Sequence, residues 1–261
     1  MNFHQDVVTT AHLLADAARR ETLRLFRNPI LRPDNKAGQG FDPVTEADRA
    51  SEKVMRDLLG KLRPDDAILG EEFGQTAGTS GLTWILDPID GTRAFISGSP
   101  SWGILIAVAD STGVIYGIVD QPYMDERFEG GFGRAEVSGM RGTAPLSVRK
   151  DVPLSQATLM STYPEMETVA ETQAFRRVAE RVRLTRYGLD CYGYALLASG
   201  HVDLVIEANL QTYDIAAPIA VIEAAGGVVT DWQGGPALKG GQVIAAATPQ
   251  LHCEALALLA G

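Results

Sequence analysis

The sequence predicts a mixed α/β (α+β) fold in two unlike halves, and three observations carry that prediction. Two early stretches show helical spacing of apolar residues. Two apolar runs near the middle flank a four-residue turn. From about Leu146 short apolar runs alternate with helical stretches. With 261 residues and 45% hydrophobic content the chain can form one large domain or two closely packed ones. The change of character divides it into 1–145 and 146–261.

Val7, Ala11, Leu14, Ala18 and Leu25 follow helical spacing and predict an amphipathic helix over 4–27, ended by Asn28 and Pro29. Arg32 to Phe41 reads as a polar loop. Thr45-Glu46-Ala47-Asp48 resembles a capping box with Asp in place of the usual Glu or Gln. The helix it opens carries Val54, Met55, Leu58, Leu59 and Leu62 and stops before Pro64. Ile68-Leu69 predicts a short strand ending at Gly70-Glu71-Glu72, followed by a Gly/Thr/Ser-rich loop over 74–81. Trp84 to Leu86 predicts a buried strand, and 104–109 with 114–119 an antiparallel hairpin turning at Asp110 to Gly113. In the second half 157–161, 184–187, 202–206, 228–230 and 243–246 read as strands. Helices are expected at 167–182, at 191–199 with Gly200 as its C-terminal cap, at 213–225 and at 251–259, Pro218 being a mild objection to the third.

The formal net charge of −10 argues against nucleic acid and anionic membranes as direct partners and favours cations. Cys191 and Cys253 are too few for a disulfide framework and lack metal-ligand spacing, which points to a reducing, cytoplasmic setting. The first 20 residues are polar and amphipathic with no secretory pattern, and no apolar run is long enough to span a bilayer. His4, His12, His201 and His252 show no ligand spacing.

The most informative segment is Asp87-Pro88-Ile89-Asp90-Gly91-Thr92, directly after the Trp84 strand. Two carboxylates three residues apart, with Pro88 fixing the chain between them, can be held at one point. The helix opening at Gly91-Thr92 would favour an anion. Carboxylates beside an anion make sense if cations lie between them, as in metal-assisted phosphate chemistry. A helix-capping turn accounts for this segment equally well by itself. Four acidic stations share the pattern of standing at element ends: Asp48, Glu71-Glu72, Asp87 with Asp90, and Asp214. Each has a plain alternative, since Asp48 and Asp214 would serve as helix caps and Glu71-Glu72 as solvated charge. Glu71 and Asp87 both end apolar strands, however, and strand ends in a sheet line one edge where ligands bind.

Asp87-Pro-Ile-Asp-Gly-Thr, preceded by Gly70-Glu71-Glu72 and followed by Tyr213-Asp214-Ile-Ala-Ala, resembles the inositol monophosphatase family over roughly Phe41 to Trp232. Tyr213 stands where many members carry Trp. The resemblance implies a layered α-β-α-β-α fold with a larger N-terminal antiparallel sheet and a smaller C-terminal sheet. It also implies Mg2+ dependence, lithium sensitivity and a homodimer. By resemblance Glu71, Asp87, Asp90 and Asp214 match metal ligands, with the Ile89 carbonyl as another. Asp48 and Thr92 match the pair that orients and deprotonates a metal-activated water, with Glu71 also counted in the catalytic set. Gly91 and Thr92 match backbone donors to phosphate, and Lys36 matches a loop lysine near the site. No Cys, His or Ser nucleophile is then required.

Glu207, seven residues before Asp214, matches the family position that binds the organic part of the substrate. Where members specific for inositol phosphate carry small or hydroxyl residues, this chain has Leu189-Asp190-Cys191-Tyr192. A second carboxylate beside Glu207 suits a cationic substrate such as histidinol phosphate. Asp190 would otherwise be the N-cap of the helix at Cys191, and Arg186 would weaken the charge argument if it paired with either acid. The strings Arg93 to Gly103, Gly117 to Pro122 and Asp190 to Glu207 resemble the histidinol-phosphate phosphatase branch. Three readings follow: a phosphomonoesterase for histidinol phosphate, one for inositol or other sugar and nucleotide phosphates, and a non-catalytic regulatory protein on the same fold. The intact acid set argues against the last.

Overall fold

The computed structural model describes residues 3–29, 32–35 and 43–261. The first half runs α1 (Phe3–Leu25), β1 (Asp34–Asn35), β2 (Pro43–Val44), α2 (Glu46–Leu62), β3 (Ala67–Gly70), β4 (Gly74–Thr76), β5 (Thr83–Asp90), α3 (Thr92–Ser97), β6 (Gly103–Asp110), β7 (Gly113–Gln121), β8 (Glu126–Gly131), β9 (Arg134–Gly139) and β10 (Gly142–Pro145). The second half runs β11 (Thr158–Ser161), α4 (Val169–Ala179), β12 (Leu184–Tyr187), α5 (Cys191–Ala198), β13 (Leu204–Leu210), α6 (Thr212–Ala224), β14 (Val228–Asp231), β15 (Gly241–Ala246) and α7 (Pro249–Ala260).

An eight-stranded sheet has the order β10-β9-β8-β7-β6-β5-β3-β4, and a five-stranded sheet the order β12-β11-β13-β15-β14. The larger sheet is antiparallel except for one parallel pair, β3 with β5. That exception matters, because it sets the ends of β3 and β5 side by side. The layers are α1 and α2, the large sheet, α5 and α6, the small sheet, then α4 and α7.

Burial on both faces explains why β5 and β6 read as continuous apolar runs. Trp84, Leu86, Ile104 and Ile106 join the core under α1 and α2, while Ile85, Leu105 and Ala107 join the core shared with α6. A third core under α4 and α7 is built on Phe175, Leu204, Ile244 and Leu251. Fully burying each large apolar side chain contributes about 1.5–3 kcal/mol. The expected capping box opens α2: Thr45 N–H donates to Asp48 Oδ2 at 2.8 Å, and Ala47 N–H donates to Thr45 Oγ1 at 3.1 Å. Pro218 lies inside α6 without ending it. Gly200 follows α5 with φ +75°, the left-handed geometry expected of a helix stop.

Four local expectations differ. The loop over 74–81 contains the edge strand β4, which pairs with β3. Strands β8 to β10 continue the meander past the predicted hairpin. Strand β5 does not end at Leu86, and β13 does not end at Glu207 but reaches Leu210 after a register shift.

Candidate active site

In a regular strand Asp87 and Asp90 would point to opposite faces, because side chains alternate with period two. The register between β5 and β6 shifts at this point: Asp87 pairs with Leu105, and Asp90 with Gly103. This bulge turns both carboxylates to one place. Ile89 N–H donates to Asp87 Oδ1 at 3.0 Å and fixes the turn around Pro88. Beside it, Gly70 pairs with Leu86 in the parallel register, and Glu71 N–H donates to Leu86 O at 3.2 Å. Glu71 therefore follows β3 at the level of Asp87, but Asp87 lies within β5, which runs on to Asp90, so a strand end stands beside a bulge rather than beside a second strand end. The start of α6 adds Asp214, and one oxygen from each of Asp87, Asp90 and Asp214 lies within 4.8 Å of the others.

The electrostatics follow from that crowding. Burial first, then the charges of Glu71, Asp90 and Asp214, push the Asp87 carboxyl well above its usual range. Asp90 is pushed up by burial and then by Asp214 and Asp190. Asp214 rises to about 7 through burial, although the Gln211 N–H donates to it at 2.6 Å. Asp214 is thus both the expected cap and a member of the cluster. Asp48 rises to about 6, again chiefly by burial, with Glu71 adding repulsion and Thr45 opposing it. Oxygen-only donors whose charge is disfavoured by burial and by neighbouring acids fit a hard divalent cation, which relieves both.

Thr92 joins the two parts of the site. Its hydroxyl lies 3.2 Å from the Ile89 carbonyl and 3.3 Å from Asp48 Oδ1. Gly91 before it has φ +84°, and a Cβ there would sit 2.7 Å from the Asp190 carboxyl carbon. Glycine is required on both counts. Asp190 occupies the N-cap position of α5 with φ +48°, yet its side chain makes no capping bond. It accepts instead from Ser101 Oγ at 3.0 Å. The first N–H of α5, on Cys191, donates to Asp90 Oδ2 at 2.6 Å. Burial raises Asp190, opposed by Ser101 and Arg93. Arg186 makes no ion pair with Asp190 or Glu207 among the described residues.

Glu207 is buried with both oxygens engaged. Thr162 N–H and Oγ1 donate to one at 2.8 and 2.5 Å, and Tyr194 OH to the other at 2.9 Å. Burial still raises its carboxyl, with Asp190 adding to the rise. Lys36 lies outside the described residues. Sequence reasoning did not single out Ser101, Thr162, Tyr194 or Glu52, whose partners come from segments distant in the chain. Glu52 alone had a local signal: the stripe of Met55 and Leu59, carried back at helical spacing, passes through Glu52 and Asp48.

Fold and site together define a phosphoric monoester hydrolase, and the chain belongs to the inositol monophosphatase family, whose model matches residues 4–260. The family is in general metal-dependent, in keeping with the acidic cluster. Among similar proteins, the histidinol-phosphatase of Mycobacterium tuberculosis is 36% identical over 260 residues, covering 98% of each chain. The bifunctional phosphatase IMPL2 (chloroplastic) of Arabidopsis thaliana is 42% identical over 224 residues, 85% of this chain, which spans 63% of that protein's length. The solved structure of an inositol monophosphatase from Zymomonas mobilis matches with TM-score 0.87 at 38% identity, covering 100% of both chains. Among the described residues no helix is long and apolar enough to cross a membrane.

Proposed function

We propose that the protein hydrolyses histidinol phosphate to histidinol and phosphate. The observation that carries this reading is the Asp190 carboxyl. It stands at a helix start without capping it, and faces the phosphate-binding turn at Gly91 within electrostatic reach of Glu207. A buried acid and a half-buried one beside a phosphate site suit an ester whose alcohol is cationic. The near full-length likeness to a histidinol-phosphatase supports the same choice.

Divalent ions, magnesium in this reading, would be held by Glu71, Asp87, the Ile89 carbonyl, Asp90 and Asp214, and would supply charge neutralisation to the phosphoryl oxygens and acidity to the attacking water. Thr92, fixed between Ile89 and Asp48, orients that water, and Asp48 receives its proton through Thr92. Water oxygen bonds to phosphorus, the ester P–O bond breaks, and the departing alkoxide takes a proton from solvent. Backbone N–H groups of Gly91 and Thr92 face the phosphate. Lys36 is assigned to the same pocket on sequence grounds alone. Asp190 and Glu207 hold the ammonium and imidazole end.

The test is kcat/KM for histidinol phosphate against inositol phosphate and a panel of phosphomonoesters, with and without magnesium. A preference for inositol phosphate would overturn the substrate, and that second reading has the Zymomonas mobilis likeness behind it. No phosphate release on any ester would leave the regulatory reading. We also infer a homodimer, to be checked by light scattering, and a cytoplasmic site of action, which fits two free cysteines.

A further inference from the structure

We propose that Glu52 is a positioning residue for the cation site: one turn along α2 from Asp48, it clamps the backbone that presents Glu71. The inference rests on the reading of Glu71 as a cation ligand.

Glu71, Glu72 and Phe73 form the tight connection between β3 and β4, whose strands close on the Gly70–Gly74 pair. The inward N–H groups of such a connection need acceptors. Glu52 supplies them from across the layer, its Oε2 accepting from Glu72 N–H at 2.6 Å and its Oε1 from Phe73 N–H at 3.2 Å. Glu52 is fully buried, with its charge met by Arg56 Nε at 2.7 Å. Arg56 also donates to the Gly74 carbonyl and, at 2.9 Å, to Thr76 Oγ1, and its guanidinium lies over the Phe73 ring. Gly70 fits this clamp, because a Cβ there would fall 2.0 Å from Glu52 Oε1.

The geometry ties two parts of the site to one rod. Asp48, Glu52 and Arg56 are spaced at i, i+4 and i+8 and share one face of α2, each step rising about 6 Å along the axis. Asp48 faces Thr92, and Glu52 with Arg56 holds the connection bearing Glu71. The separation of the proton-accepting acid from the connection that bears Glu71 is therefore set by helix geometry. Removing the clamp loosens the connection that presents Glu71. Partners that orient metal ligands are worth roughly 10- to 100-fold in metal affinity.

The experiment titrates Mg2+ and Mn2+ into metal-free protein by calorimetry for wild type, Glu52→Gln, Glu71→Gln and Asp203→Asn. Asp203 is the control for a structural role. It too is a fully buried carboxylate held by an arginine and a backbone N–H, but it lies just before β13 of the small sheet. Glu52→Gln keeps the shape but cannot accept on both oxygens. We expect it to weaken metal binding about tenfold and to raise the metal concentration for half-maximal turnover by the same factor, with kcat at saturating metal changed less than about twofold. Asp203→Asn is expected to lower Tm without changing metal affinity. If Glu52→Gln does not fold, Glu52→Asp, which keeps the charge beside Arg56 but shortens the reach, is read in the same way. A folded Glu52 variant with wild-type metal affinity, beside a weakened Glu71→Gln, overturns this proposal alone. Wild-type affinity in Glu71→Gln overturns the ligand reading and this proposal with it.

Discussion

The site holds two groups of acids that differ in how their charge is compensated. Asp87, Asp90 and Asp214 converge on one point with a single backbone N–H donating to each, and neighbouring acids add to burial in raising their carboxyls: Glu71, Asp90 and Asp214 for Asp87, Asp214 and Asp190 for Asp90, Glu71 and Glu207 for Asp214. Glu207 is as deeply buried, but three donors from Thr162 and Tyr194 occupy its oxygens. The first group is incomplete without a positive partner. The second is nearly complete within the protein. A buried carboxylate already held by fixed donors changes little when its ligand binds, which suits recognition. Carboxylates that repel one another gain most when a cation arrives, which suits a metal centre.

The sharpest way to break that contrast is to remove a member of the first group. Asp87→Asn or Asp90→Asn is expected to abolish metal-dependent phosphatase activity and leave the fold intact by circular dichroism. The metal-free Tm should rise slightly, since a repelling charge is gone. Near-wild-type turnover in either variant would end the assignment. Next in size is Thr92→Ala, which should lower kcat by roughly 10²-fold or more with a smaller change in KM, because aligning the attacking water matters chiefly in the transition state. Stopped turnover mixtures should contain no phosphorylated protein, and a trapped phosphoenzyme would refute direct attack by water.

Asp190, which accepts from Ser101 and lies within electrostatic reach of Glu207, predicts a smaller, selective effect. Asp190→Asn should lower kcat/KM for histidinol phosphate about 10- to 100-fold, the worth of a charge-assisted hydrogen bond of roughly 1.5–3 kcal/mol. Glycerol phosphate, whose alcohol is uncharged, should be turned over almost as by wild type. Equal losses on both esters would make Asp190 a structural residue and remove the contrast between the two groups.

How much of this was legible in the sequence depended on the range of the interactions. The helices α1 and α2, the central hairpin and the Asp87 to Thr92 segment are written in local spacing and were read from it. The bulge that brings Asp87 and Asp90 together was not, since it arises from the register of β5 against β6. Strand β8 was missed because its buried positions carry charge: Arg127 pairs with Asp16 and Asp120, and Glu129 with His12 and Tyr116. Partners more than a hundred residues away on α1 leave no mark in a local hydrophobic pattern. Glu207 looked like a strand end because Ala208 and Asn209 break the apolar run, while the strand itself continues to Leu210. For Asp190 the capping alternative was reasonable from sequence; in the structure its backbone has φ +48° and ψ −143°, its side chain makes no capping bond, and its carboxylate lies beside Gly91.

The smallest effect is thermodynamic and tests the premise of the comparison, that the first group is destabilising when metal-free. Asp214 of the first group and Asp48 outside it have carboxyls near 7 and 6 in the folded chain, against an ordinary value of 3.8. A raised carboxyl means that the folded state binds more protons than the unfolded state between about pH 4 and 7. The contribution of these groups to stability is therefore greatest below the ordinary value and is lost as pH rises through the folded values. Burial lowers the His252 imidazole and acts in the opposite sense near neutrality, but it is one group against several. Metal-free protein should then lose Tm between pH 5 and 7.5 by a few degrees, at about 2–4 °C per kcal/mol for a chain of this size. Asp214→Asn should shallow the slope. Excess magnesium should flatten or reverse it, because a cation binds the deprotonated carboxylates and stabilises the fold most at the upper end of the range. A metal-free Tm that rises over this interval would mean the acids are compensated within the protein, and the two groups would not differ.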